Sequence, residues 1–288
     1  MVWQLARADD LDEMVQFLRR DEWRHVNFSA RLHERFRPTY PNPHRISIYL
    51  RRDEREIGEA VLVSRGGLVI PVLADTQRDE SRGDLASLVR RELNLHSIMG
   101  SKRDVAVVQE SLRQEVSLTT IDYHLLFDDP TPKKHDQRPL DLPGRLKFRR
   151  ARMMDAIGLF PLQKAYELEE VLIDPRRFNT TSTYLNLQQH LKREVVFYAS
   201  VGREIVAKAG TNARGFTFDQ IGGVYTVESL RNRGVAEALL RILLDHIRGE
   251  GRRVSLFVKK ENTAALRLYE KLGFIREGEF RITYFRPS

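Results

Sequence analysis

The chain has no cysteine among its 288 residues. That excludes disulfides and thiolate metal sites, and it fits a cytoplasmic location. No apolar run approaches the length of a bilayer-spanning helix, so no membrane partner is expected. Residues 1–10 lack a signal-peptide pattern, because Asp9 and Asp10 follow the start at once. No metal-ligand spacing is present, and no Ser/His/Asp pattern stands out. A nucleic-acid module is also missing: the arginines are scattered rather than set in a recognisable motif.

What the chain does contain is enough apolar material for a core, with 41% hydrophobic residues. Its length suits one large domain or two ordinary ones. The net charge of +8 is unevenly spread. Residues 145–288 hold 26 Lys and Arg against 16 Asp and Glu, or +10, whereas residues 1–144 hold 22 against 24, or −2. A positive half attracts an anionic ligand. Between the halves, Pro130, Pro132, Pro139, Pro143 and Gly144 stand among charges with little to bury. We read 130–144 as a linker between a domain at 1–129 and a domain at 145–288.

In the first domain, apolar spacing predicts a helix over 7–20, strands at 46–50, 57–64 and 68–73, a helix over 85–93, a short strand at 105–108 and a strand at 119–127. The stretch with Trp23, Phe28 and Phe36 reads as a mixed region. In the second domain the prediction is a strand at 146–150, a helix over 156–170, and a polar loop reaching Tyr184. A short helix at 185–192 and a hairpin of 195–201 with 204–209 follow. The last elements are strand 220–226, helix 235–248, strand 254–258, helix 263–272 and strand 280–285.

The chain is organised around 224–240. An apolar strand, Val224-Tyr225-Thr226, leads through Arg231-Asn232-Arg233-Gly234 into a helix that begins Val235-Ala236-Glu237. Gly234 lets a ligand approach the backbone, and the first N–H groups of a helix lack internal partners at its positive end. Strand, glycine turn and helix N-terminus together suit a phosphate or pyrophosphate.

Two motifs here resemble those of the GNAT superfamily of acyl-CoA-dependent N-acyltransferases. Arg231-x-x-Gly234-x-Ala236 resembles its pyrophosphate loop. Asn262-x-x-Ala265-x-x-Leu268-Tyr269-x-Lys271-x-Gly273-Phe274 resembles its second signature. The resemblance implies an α+β fold: two GNAT-like domains in tandem, each a mixed, mostly antiparallel sheet flanked by helices. The N-terminal copy is read as degenerate. At the place of the phosphate turn it carries Asp75, Asp79, Glu80 and Asp84, which would repel a pyrophosphate.

By the same resemblance the cosubstrate is acetyl-CoA and the partner is a primary amine acceptor; a homodimer is compatible with it. The backbone from Asn232 through Arg233, Gly234, Val235 and Ala236 to Glu237 is the expected cradle, with Arg231 and Arg233 adding charge. Val224, Tyr225 and Thr226 would pair with the pantetheine arm where strands 220–226 and 254–258 splay apart. Asn262 is a contact to that arm, a helix N-cap, or both at once. Tyr269 would donate its phenolic proton to the leaving thiolate. For the general base, Asp219 at the start of its strand and Glu170, beside Glu169, are the candidates. Without cysteine an acyl-cysteine relay is excluded, and the expected reaction is direct attack in a ternary complex. A non-catalytic CoA-binding regulatory module and a basic nucleic-acid- or protein-interaction protein are the alternatives.

Overall fold

In a computed structural model, the structure describes residues 2–36, 46–74, 80–91, 95–112, 118–129 and 146–285. The proposed linker and most of the acidic segment at 75–79 lie outside these residues.

One ten-element pattern occurs twice. The first copy runs β1 (Gln4–Leu5), α1 (Leu11–Arg19), α2 (Glu22–Phe36), β2 (Ile46–Asp53), β3 (Glu56–Ser64), β4 (Leu68–Val72), α3 (Glu80–Arg91), β5 (Ser97–Ser101), α4 (Lys102–Ser111) and β6 (Leu118–Asp128). The second runs β7 (Leu146–Arg150), α5 (Ala156–Tyr166), α6 (Thr180–Arg193), β8 (Val196–Val201), β9 (Glu204–Arg214), β10 (Phe218–Thr226), α7 (Val235–Gly249), β11 (Arg253–Lys259), α8 (Thr263–Lys271) and β12 (Phe274–Phe285). The fold is therefore α+β and tandem.

All twelve strands form one sheet, in the order β1-β2-β3-β4-β5-β12-β6-β11-β10-β9-β8-β7. Only the pairs β4/β5 and β10/β11 are parallel. The final strands of the two copies are exchanged: β12 pairs with β5, and β6 pairs with β11. They also pair with each other, antiparallel, from Phe274 opposite Asp128 to Phe285 opposite Leu118. Aromatic side chains seal this centre. Phe257 and Phe280 stack with centroids 4.5 Å apart, and Tyr123 meets Phe257 edge-on at 5.0 Å. Such ring pairs stabilise beyond the area they bury.

The amphipathic α7 buries Val235, Leu239, Leu243 and Ile247 against Val206, Ala207, Val254 and Leu256, which anchors its N-terminus beside β10. On α5 and α6, Leu159 and Leu187 pack on Tyr198, covering β8 and β9.

Three expectations from the sequence are corrected. Residues 105–108 are not a strand but part of α4. Ser101 Oγ accepts the N–H of Asp104 at 3.2 Å, starting a helix whose Val105 and Val108 form its buried face. The mixed region after Asp21 is α2, bent at His25, where φ is −127° and ψ 23°. The loop before Tyr184 already holds the first turn of α6, begun by Asn179, whose side chain accepts the N–H of Ser182 at 2.8 Å.

Candidate active site

β10 and β11 pair only from Phe218 opposite Arg253 to Ile221 opposite Leu256. Beyond that point they diverge. β11 stays on β6 to its end, and β10 stays on β9. Between Gly222 and Tyr225 the β9/β10 register shifts, with Gly223 at φ +60°, a bulge that bends the strand. The backbone of residues 222–226 thus faces a gap on the β11 side.

The chain leaves β10 through a short turn. Leu230 N–H donates to Val227 C=O (3.0 Å) and Arg231 N–H to Glu228 C=O (3.1 Å). Asn232 (φ +59°) and Gly234 (φ +75°) are both left-handed, a conformation glycine and asparagine adopt at least cost. Gly234 caps α7, and the first bond inside the helix runs from Ala238 N–H to Gly234 C=O at 2.9 Å. The N–H groups of Val235, Ala236 and Glu237 therefore have no acceptor within the helix. Asn232 and Arg233 are exposed, and Val224 is half-buried. Thr226 is buried, and its Oγ1 has no hydrogen-bond partner.

The charged groups around the turn are engaged. Arg231 Nε donates to Thr226 C=O (3.0 Å), and its NH2 donates to Glu169 (2.8 Å), which also accepts from the Tyr225 hydroxyl at 2.8 Å. Arg231, followed by Tyr225, holds the Glu169 carboxyl below the usual range. Burial works against the charge of Glu237, but Lys271 (2.7 Å) and Arg241 (2.6 Å) outweigh it and keep that carboxyl ionised. Glu170, in the turn after α5, pairs with Lys259 of β11 at 3.2 Å.

Tyr269 projects from α8 into the core, edge-on to Phe274 at 5.8 Å. Burial first, then Tyr166 and Glu170, push its hydroxyl above the ordinary phenol range, so it stays protonated at neutral pH. Tyr166 is pushed up to about 12 by burial and Glu170, and its oxygen accepts the N–H of Gly223. Tyr269, Tyr166, Glu170 and the bulge thus share one neighbourhood.

Asp219 sits elsewhere, and Asn262 takes one of its two expected roles. Asp219 is fully buried at the opposite end of β10, on the order of 20 Å from Thr226 at about 3.3 Å per residue. Its carboxylate accepts from Arg214 Nε (3.1 Å) and Arg252 Nε (2.8 Å), a structural clamp. Asn262 caps α8, its Oδ1 accepting the N–H of Ala265 at 3.0 Å. Conversely, the sequence reading passed over Tyr166, Lys259 and Lys208. For Lys208 a signal existed: a lone lysine inside the apolar run Ile205-Val206-Ala207-Lys208-Ala209.

The corresponding gap in the first copy is bridged. β4 and β5 pair only at Leu68–Val69, yet Arg103 donates to Ala74 C=O and Leu73 N–H donates to Asp104. A Cβ on Gly100 would stand 3.4 Å from Pro71 C=O. These contacts tie α4 to the end of β4.

Residues 163–274 match the family model described as the acetyltransferase (GNAT) family. Residues 163–274, most of the second copy, thus form a GNAT domain. The whole tandem GNAT fold has solved counterparts. A Drosophila protein from a structural genomics consortium aligns over 99% of both chains with a TM-score of 0.70 at 16% identity. A tandem GNAT protein of the clavulanic acid biosynthesis pathway aligns over 99% of both, with a TM-score of 0.57 at 12% identity. Among curated relatives, a mycothiol acetyltransferase of Corynebacterium glutamicum is 38% identical over 74 residues, 25% of each chain. Another, of Streptosporangium roseum, is 42% identical over 66 residues, 22% of this chain and 20% of that one. The chain thus matches between a fifth and a quarter of the length of these relatives. No helix among the described residues is long and apolar enough to cross a membrane.

Proposed function

We propose that the C-terminal copy transfers an acetyl group from acetyl-CoA to a primary amine, by direct attack in a ternary complex. The observation that carries this reading is the parting of β10 from β11 immediately before the left-handed turn into α7. The gap offers unpaired strand backbone, and the turn offers free N–H groups at a helix N-terminus. The family match and the acetyltransferase names of the relatives support the same chemistry.

The residues fit the cosubstrate. The N–H groups of residues 235–237 and the left-handed backbone at Asn232 and Gly234 suit a pyrophosphate. Residues 224–226 can pair with an extended amide-bearing arm, and the unpartnered Thr226 Oγ1 lies at the same strand end. Acetyl-CoA supplies the activated acetyl thioester. Tyr269, protonated at neutral pH, is the donor for a leaving thiolate.

The test is a thermal melt with and without acetyl-CoA, for the wild type and Gly234→Asp, followed by an amine screen. Binding to the folded state alone must raise the melting temperature. The reading requires a shift in the wild type and its loss in Gly234→Asp. No shift in either protein would refute it. A shift without amine-dependent thiol release would leave a CoA-binding module.

A further inference from the structure

The three carboxylates that follow α5 near the gap are engaged: Glu169 with Tyr225 and Arg231, Glu170 with Lys259, and Glu167 with Gln163 (2.9 Å) and Thr183 (2.6 Å). Asp219 is clamped at the far end of β10. One titratable nitrogen is not engaged in this way. Lys208 lies on β9, directly between its register partners Tyr198 of β8 and Tyr225 of β10. Only 6% of it is exposed. Its side chain crosses β10 at the bulge, so that a Cβ on Gly223 would stand 3.1 Å from Nζ. Nζ rests 4.3 Å from the centroid of the Tyr166 ring, the ring whose hydroxyl binds Gly223 N–H. No hydrogen bond or ion pair to Nζ is made among the described residues.

We propose that Lys208 is the general base that takes a proton from the ammonium group of the acceptor, a role that rests on the acetyl-transfer reading above. The bulge makes the position possible: glycine leaves room for an amine reaching from the neighbouring strand to the point where β10 and β11 part. In the step itself, one proton passes from the acceptor's ammonium to the lone pair of Nζ. The acceptor is left as a neutral amine with a lone pair for attack, and Nζ later returns the proton to water.

The electrostatics agree with the geometry. Tyr198, Tyr225, His190 of α6, Tyr166 of α5 and Glu167 just after α5 face Lys208. Burial pushes the amine down to about 7, with Glu167 pulling the other way. Burial, then the charge of Lys208, pushes His190 down to about 4. At neutral pH a large share of the molecules thus carries a neutral lysine, and a base works best with its pKa near the working pH.

The test combines titration with substitution. Lysine labelled with 13C at Cε and 15N at Nζ is followed by NMR, and the Lys208 signal is assigned by its loss in Lys208→Met. A midpoint near 7 is expected; a midpoint at the ordinary lysine value of about 10.4 overturns the assignment, whichever amines the protein accepts. Thiol release from acetyl-CoA is then measured with propylamine, putrescine and tyramine. Lys208→Met, which has no proton site, and Lys208→Arg, which has no neutral form at pH 7, are both expected to lose about 100-fold or more at pH 7. Both should lose the rising limb of the pH profile near 7 while acetyl-CoA still raises their melting temperatures. A Lys208→Arg protein with the wild-type rate and limb also overturns the assignment, because a fixed charge then suffices. Failure of the underlying reading looks different: acetyl-CoA would not shift the wild-type melt at all.

Discussion

Glu22 of α2 accepts the backbone N–H of Thr217 at 2.8 Å, across 195 residues of chain. The same carboxylate accepts the N–H groups of Phe216 and Phe218, and it is buried. Five residues on, Asn27 Nδ2 donates to Gln220 Oε1 at 2.5 Å, also out of water. The first copy thus holds the turn that opens β10 of the second. Glu22→Ala leaves three backbone donors, one buried and two partly buried, without their acceptor and is expected to cost about 2 kcal/mol, whereas Glu22→Gln, which keeps one oxygen, should cost about 1 kcal/mol. Urea unfolding at constant m-value checks both.

Asp219 separates a structural carboxylate from a catalytic one. Asp219→Asn leaves Arg214 and Arg252 without their buried counter-charge, and about 3 kcal/mol of stability should be lost. Below its melting temperature the variant is expected to bind acetyl-CoA and turn over at the wild-type rate per folded molecule. Active-site-normalised kinetics read this; a large fall in kcat would return Asp219 to the reaction.

Tyr269→Phe removes a hydroxyl and keeps the ring against Phe274. A drop of about 10- to 100-fold in kcat is expected, with acetyl-CoA affinity unchanged, because the donor acts only as charge develops on sulfur. Isothermal titration with CoA beside steady-state kinetics separates the two effects.

Acid should loosen the protein partly through His25. Burial, then Arg24, pushes this histidine down to about 4, and its Nδ1 has no partner. The unfolded chain therefore binds the proton first, near pH 6.5, so stability falls as pH drops from 6.5 toward 4. Between pH 6.5 and 5 the loss from this one group is about 2 kcal/mol. Melting curves of His25→Phe over that range should show a shallower decline than the wild type.

The parts of the fold that were legible in the sequence are those set by local pattern. The hairpins, the strand–turn–helix at 224–240 and the caps at Gly234 and Asn262 all follow from residue type and spacing. Residues 105–108 misled because a short, valine-rich apolar run fits a strand as well as part of a helix, and the decision fell to Ser101 outside the run. Strand exchange was not legible, since alternation shows which residues face a core but not whose strand lies alongside. Lys208 escaped for a similar reason. Its chemistry depends on Tyr166 and Gly223, which approach it only once β9, β10 and α5 are packed.

β6 is held between β11 and β12, and β12 between β5 and β6. The two copies are therefore interlocked like clasped fingers, although each is continuous along the chain. Any single cut between them leaves a slot in the sheet of each fragment, between β5 and β6 in one and between β11 and β12 in the other. Removing one copy to learn what it does would report the collapse of both. A first copy whose own gap is bridged still shapes the second, because its β6 is the strand that holds β11 in place as β10 turns away.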